Sequence, residues 1–197
     1  MSPDGDQVVG WGSTNLFTLT ASNWYHVASV VVDGTNVGPP DTFTFGDVVA
    51  DHTLVANFAP DLATNQTPNW WLYQANPDWS TNFDAAAIAD ADGDGQLTWQ
   101  EYLAGTDPRN PASVFRLTIA ISNGQTVLSF PTIAPTAQYE GLRRYYSLEY
   151  STNLLSSQAW QGFPGGTNLP SAGQTIVRTN PAGNVNRLFR AKVWLEP

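Results

Sequence analysis

Residues 90–101 read DADGDGQLTWQE, and their acidic side chains are spaced for cation chemistry. With Asp90 as the first of twelve places, carboxylates fall at places 1 (Asp90), 3 (Asp92), 5 (Asp94) and 12 (Glu101). Four like charges held this close repel one another, and a bound cation turns the repulsion into attraction. A hard divalent cation takes about six to eight oxygens at roughly 2.3–2.6 Å. Alternate aspartates turn inward as the chain curls, and Gly95 at place 6 permits the sharp backbone turn. Gln96 offers its main-chain carbonyl rather than its side chain, and Thr98 stands at place 9. Leu97 is apolar and is expected to anchor the loop to a core. Glu101 can give both oxygens and close the shell.

This is the EF-hand calcium-loop pattern, and it predicts Asp90, Asp92, Asp94, Gln96, Thr98 and Glu101 as ligands of Ca2+. Mg2+ fits less well, because it prefers few protein ligands and retained waters. Two plainer explanations compete. One is a solvated acidic turn; the other is a capping box from Thr98 to Glu101 at the start of the next helix. Neither explains Asp90, Asp92, Asp94 and Gly95 together. A lone loop lacks the second hand with which calcium sensors open a groove. The expected ion is therefore structural, not a switch.

The elements that must hold this loop divide the chain into three zones. Residues 1–60 alternate polar and apolar, as in LFTLTA from Leu16 and in DTFTFGDVVADHTLVANFA, which is the pattern of half-buried strands. Asp33-Gly34 marks a turn between strands. Residues 61–110 are aromatic and interrupted by prolines. They hold two short helix candidates, one in STNFDAAAIAD with Ser80, Thr81 or Asn82 as N-cap, and one in TWQEYLAG ending at Gly105. Residues 111–197 return to strands, with a hairpin signal at Asn123-Gly124. The expected fold is mostly β: a small β repeat module and a β-sandwich joined by a short helical calcium segment.

Composition narrows the function. The net charge of −9 leaves no basic footprint for phosphates, so neither a nucleic-acid partner nor an anionic membrane surface is expected. No apolar run is long enough to insert in a membrane. There is no cysteine, which excludes disulfides and thiolate chemistry. The N-terminus shows no signal peptide, so an exported protein would carry its signal outside this sequence. His26 and His52 are far from the acidic loop, no nucleophile motif is present, and spacing does not pair Glu140 with Glu149 as acid and base. The chain is expected not to be an enzyme. Eight tryptophans leave a rival open: aromatic platforms stack on sugar rings, as in a carbohydrate-binding accessory module of a secreted polysaccharide-degrading enzyme. The simpler role for Trp70, Trp71, Trp79 and Trp99 is packing around the small central segment. Coplanar exposed rings would favour sugar binding, and buried rings packing.

Several stretches resemble modules of bacterial secreted multimodular surface proteins. Residues 82–111, and EYLAGTDP above all, resemble a thrombospondin type 3-like or dockerin-like calcium segment; the resemblance implies that Asp107 can add an oxygen. Dockerins carry two loops where one stands here, which speaks against a cohesin partner. WYHVASVVVDGTNVGPPDTFTFGDVVADHTLVANFA resembles the divergent internalin B-repeat class, through Tyr25, Val27, Val30, Val32, Phe43, Phe45 and Phe58. That class implies a non-catalytic spacer or adhesive module with one more strand at its start. Here that strand is missing: either the sequence is cut at this point, or a neighbouring chain or segment supplies it, and an unpaired edge invites strand addition from a neighbouring module or a second copy. YYSLEYSTNLLSSQAWQ and RLFRAKVWL resemble a C-terminal β domain of secreted proteins, with Tyr146, Leu148, Trp160, Leu188, Phe189 and Val193 as core positions. Together these resemblances imply an extracellular or cell-surface calcium-binding module, structural or adhesive in role.

Overall fold

Alternation of apolar and polar side chains becomes strand along most of the chain, and the protein is mostly β. The computed structural model describes residues 1–134, 139, 141–153, 160–180 and 187–197. The chain forms two compact units, Met1–Ala87 and Ile88–Pro197, so the stretch 61–110 is shared between them.

In the first unit β1 (Ser13–Thr18) pairs antiparallel with β4 (Thr42–Val48). A second sheet has the order β3 (Thr35–Asn36), β2 (Tyr25–Val32), β5 (Leu54–Pro60). Asp33 and Gly34 join β2 to β3 with φ of 50° and 79°. Two positive φ angles in succession match the twist of a tight hairpin, and Asp-Gly tolerates them. Leu19, Val27 and Val30 form a buried cluster, with Met1, Val32, Leu54 and Ala56 against it. Ser2 exchanges two backbone hydrogen bonds with Thr18, at 2.9 and 2.8 Å, so the first residues of the chain already pair with β1.

The aromatic stretch that follows completes this unit. β6 (Leu62–Ala63) and β7 (Thr67–Pro68) make a small hairpin, then α1 (Asn69–Ala75) and α2 (Phe83–Ala87) follow. The prolines of this stretch do not break α1 but bracket it. Pro68 precedes its first turn and Pro77 follows its end, where the missing N–H costs nothing. α1 buries Trp71 and Leu72. Trp24 packs against Tyr73 and Phe83, with ring centroids 5.2 and 5.1 Å away. Asn82 caps α2 by accepting the Ala85 N–H at 3.1 Å.

The second unit is a β-sandwich on which α3 (Thr98–Ala104) is mounted. One sheet runs β13 (Thr175–Asn180), β9 (Gln125–Pro131), β8 (Thr118–Ser122). In the other, β10 (Arg143–Ser151) pairs with β14 (Leu188–Glu196) along its whole length, and with the short β11 (Gln161–Gly162) and β12 (Leu169–Pro170). Asn123-Gly124 turns β8 into β9 with φ of 50° and 74°. Leu128 and Phe130 of the first sheet meet Tyr146 and Leu148 of the second, with Phe163, in one buried cluster. Phe115, Phe189 and Val193 pack against it. The Tyr146 hydroxyl, fully buried, accepts the Ile133 N–H at 3.0 Å. Of the other expected core positions, Leu188 and Trp160 are half-buried, and the guanidinium of Arg190 lies 4.2 Å over the Trp160 ring. No helix of the described residues is long and apolar enough to cross a membrane.

Leu148 has no exposed surface, so truncating it opens a cavity between the sheets. Leu148→Ala is expected to lower the stability of the second unit by about 2–5 kcal/mol. Urea unfolding followed by tryptophan fluorescence measures it.

Candidate metal centre

The acidic loop runs from the end of α2 into α3 and belongs wholly to the second unit. Its curl is made by its own side chains. Asp90 accepts the N–H of Gly93 at 2.8 Å and of Gly95 at 3.1 Å. Asp92 accepts from Asp94 N at 3.2 Å, and Asp94 from Gln96 N at 2.7 Å. Gly95 sits at φ 94° with open space around it, so glycine is needed for backbone conformation, not for room.

These turns bring Asp90, Asp92 and Asp94 together: one carboxylate oxygen from each lies within 4.8 Å of the others. Glu101 is not in that group of three but stands close enough to feel it. It is fully buried, and its carboxyl is pushed up to about 8. Burial is the main cause, followed by the charges of Asp92 and Asp94; a hydrogen bond from the Thr106 hydroxyl works the other way, and Asp107 adds further repulsion.

One oxygen of each of three carboxylates is left over. Asp92 Oδ2, Asp94 Oδ2 and Glu101 Oε2 are buried and have no hydrogen-bond partner. Buried carboxylate oxygens are ordinarily paired, because desolvating them costs several kcal/mol, of order 2–7 for a polar group alone. Unpaired acceptors from three acidic residues of one loop are the donor set a hard cation needs, so these residues fit such an ion.

The remaining places of the loop hold it in position. Thr98 is fully buried, and both its amide and its hydroxyl donate to the Ala89 carbonyl, at 2.8 and 3.0 Å. It clasps the start of the loop to the start of α3. The Gln96 side chain accepts the Phe115 N–H at 2.7 Å, which ties the loop to a core residue of the sandwich. That tie leaves the main-chain carbonyl of Gln96 as the group for an ion. Asp107 accepts the Arg109 N–H at 3.1 Å and heads the turn after α3.

The capping box from Thr98 to Glu101 is not formed. Leu97 is the N-cap, and Gln100 reaches back to accept the Leu97 N–H at 2.8 Å. The frame is shifted by one residue, which frees Glu101 to turn into the loop. Only the glutamine half of a box exists here: Leu97 has no side-chain oxygen to cap with, so the S/T-x-x-E/Q pattern does not mark this helix start.

The other end of α3 carries the feature least visible in sequence. Gly105 caps the helix at φ 75°. Arg144 of β10, itself buried, donates to the Leu103 carbonyl at 2.5 Å and the Tyr102 carbonyl at 3.3 Å. It satisfies two of the carbonyls a helix end leaves open and sets a cation at the negative end of the helix. A Cβ at Gly105 would lie 2.8 Å from the guanidinium carbon. No spacing rule brings residue 144 to residue 103.

Other candidates lie apart. His26 and His52 are in the first unit, each on an aspartate: His26 with Asp61 at 2.8 Å, His52 with Asp33 at 2.7 Å. Glu149 is engaged by Arg190 and Lys192, and Glu140 lies outside the described residues. Among the tryptophans, Trp11 is exposed, Trp71 buried and the rest half-buried. No protein-family model, curated protein or solved structure matches the chain.

The Glu101 carboxyl generates a signed pH dependence. Its folded value is above the ordinary 4.5, so the stability contributed by its proton is complete below about pH 4.5 and lost as pH rises through about 8. In chelator, the melting temperature is expected to fall across that window. Glu101→Gln, which stays neutral, is expected to flatten the fall and to remove any stabilisation by added divalent cation. Thermal melts across pH, with and without the cation, check both.

Proposed function

We propose that the chain is a calcium-binding structural module of an extracellular or cell-surface protein, without catalytic activity of its own. The observation that carries this reading is the set of three buried carboxylate oxygens, on Asp92, Asp94 and Glu101, that have no partner within the protein. Ca2+ suits them better than Mg2+, because an all-protein oxygen shell of variable geometry is calcium's habit. Asp90, Asp92, Asp94, the Gln96 carbonyl and Glu101 would hold the ion, with Thr98 supporting the loop at its ninth place. Loops of this kind in extracellular modules work at weak affinity, of order 10⁻⁴–10⁻³ M, where calcium is abundant outside cells.

The ion's role follows from what the loop is fastened to. Gln96 ties it to Phe115, and α3 ends on Arg144 of the sandwich. An ion closing the loop would therefore stiffen the second unit, as a spacer or adhesive segment requires. The resemblance of flanking stretches to modules of secreted bacterial proteins supports the same setting, and strand addition at the edge of the first unit is the mode of assembly it suggests.

Chelation is the decisive experiment. A ligand at one hundred times its dissociation constant adds about 2.7 kcal/mol to a folded state it alone binds. The melting temperature is expected to rise with calcium at millimolar concentrations, to rise less with magnesium, and to return on adding chelator. Asp92→Asn should weaken the response. A midpoint indifferent to calcium would refute the reading.

A further inference from the structure

The core-forming residues of β10, Tyr146 and Leu148, face one way, so Arg143, Tyr145, Ser147 and Glu149 face the other. Across the strand pair they stand opposite Glu196, Trp194, Lys192 and Arg190. This outward face has an unusual make-up. It gathers Arg143, Arg190 and Lys192, three of the eight basic residues of a chain whose net charge is −9. Against them stand two carboxylates, Glu149 and Glu196, so the face is locally positive.

It is also aromatic. The rings of Tyr145 and Trp194 lie nearly parallel, 25° apart with centroids at 6.1 Å. The Trp194 N–H donates to Glu196 Oε1 at 2.8 Å, which fixes the indole. Beside it lies an open depression of about 480 Å³, lined by Trp194, Lys192, Glu149 and Ser147 together with Thr167 and Asn168. That volume falls within the roughly 300–1,000 Å³ of small-molecule sites.

We propose that this face binds an acidic saccharide, a uronic acid unit with its ring laid on Trp194 and its carboxylate against Lys192. The apolar C–H face of a pyranose meets the negative face of an aromatic ring favourably. Lys192 has three N–H donors and gives one to Glu149, at 3.2 Å. The others are available to a carboxylate, and half of the side chain is exposed. Glu149 orients the cations. Burial would raise its carboxyl, but hydrogen bonds from Arg190 and Lys192 outweigh this and hold it below the usual range, so it stays charged. Thr167 and Asn168 add polar groups for hydroxyls. A neutral sugar would use the ring and the hydroxyl partners but leave the positive excess unanswered.

Titration calorimetry on the whole chain, at one fixed low calcium concentration, tests this with galacturonic acid, a short oligogalacturonate and its neutral methyl ester. The oligogalacturonate is expected to bind, and the ester to bind at least about tenfold more weakly, the size of one lost charge-assisted hydrogen bond. Added salt should weaken the acid only. Lys192→Gln should lower its affinity about tenfold and Lys192→Arg much less, with melting temperatures unchanged because the side chain is at the surface. Trp194→Ala should abolish binding. Equal binding of monomer and oligomer would point to a free sugar as the ligand; tighter binding of the oligomer would point to a polymer. No binding, equal binding of acid and ester, or indifference to Lys192→Gln would overturn the proposal.

Discussion

Glu101 is a carboxylic acid with no contact with water, turned toward two aspartates of the same charge. Few arrangements are less favourable unless something positive completes them. A proton does so weakly, by neutralising one group. A divalent cation does so for all of the carboxylates at once, and each ligand lowers the cost of the others. The loop's shape is consistent with this demand: every backbone turn in it is stabilised by an aspartate oxygen, while the second oxygens of Asp92 and Asp94 stay unspent.

The loop is not a free ornament between modules. It is held at three points, by Thr98 to Ala89, by Gln96 to Phe115 and, through α3, by Arg144 to the helix end. The last two lead straight into the sandwich: Phe115 packs edge-on against Phe130, and Arg144 sits two residues before Tyr146. Stiffness gained at the loop is therefore passed to the sheets by short, buried, directional contacts. The same economy shows in Glu101, whose backbone carbonyl accepts the capping N–H of Gly105 while its side chain faces the loop.

Much of this was legible in the sequence, for reasons that can be named. The two hairpins at Asp33-Gly34 and Asn123-Gly124 were readable because positive φ at successive residues restricts the amino acids sharply. The mostly-β character followed from alternation, and the aspartate spacing from the geometry of a curled loop. α1 was missed because its prolines were read as interruptions when they are its borders. The boundary between Ala87 and Ile88 has no mark in the sequence, because Trp71 and Trp99 look alike there, yet the first is in one unit and the second in the other. The Arg144 cap and the outward pairing of Tyr145 with Trp194 depend on contacts over 40 residues or more, where local pattern carries no signal.

The fastening of Gln96 to Phe115 has a practical side for anyone who would dissect the molecule. A piece beginning after Pro111 keeps every strand of the sandwich but discards the glutamine that satisfies the Phe115 amide and the helix end beneath which Arg144 is stowed. Its buried guanidinium would then keep the Tyr139 ring, 4.4 Å away, but lose both carbonyls it donates to. The natural cut lies ahead of Ile88, where the excised half carries its own acidic loop away intact.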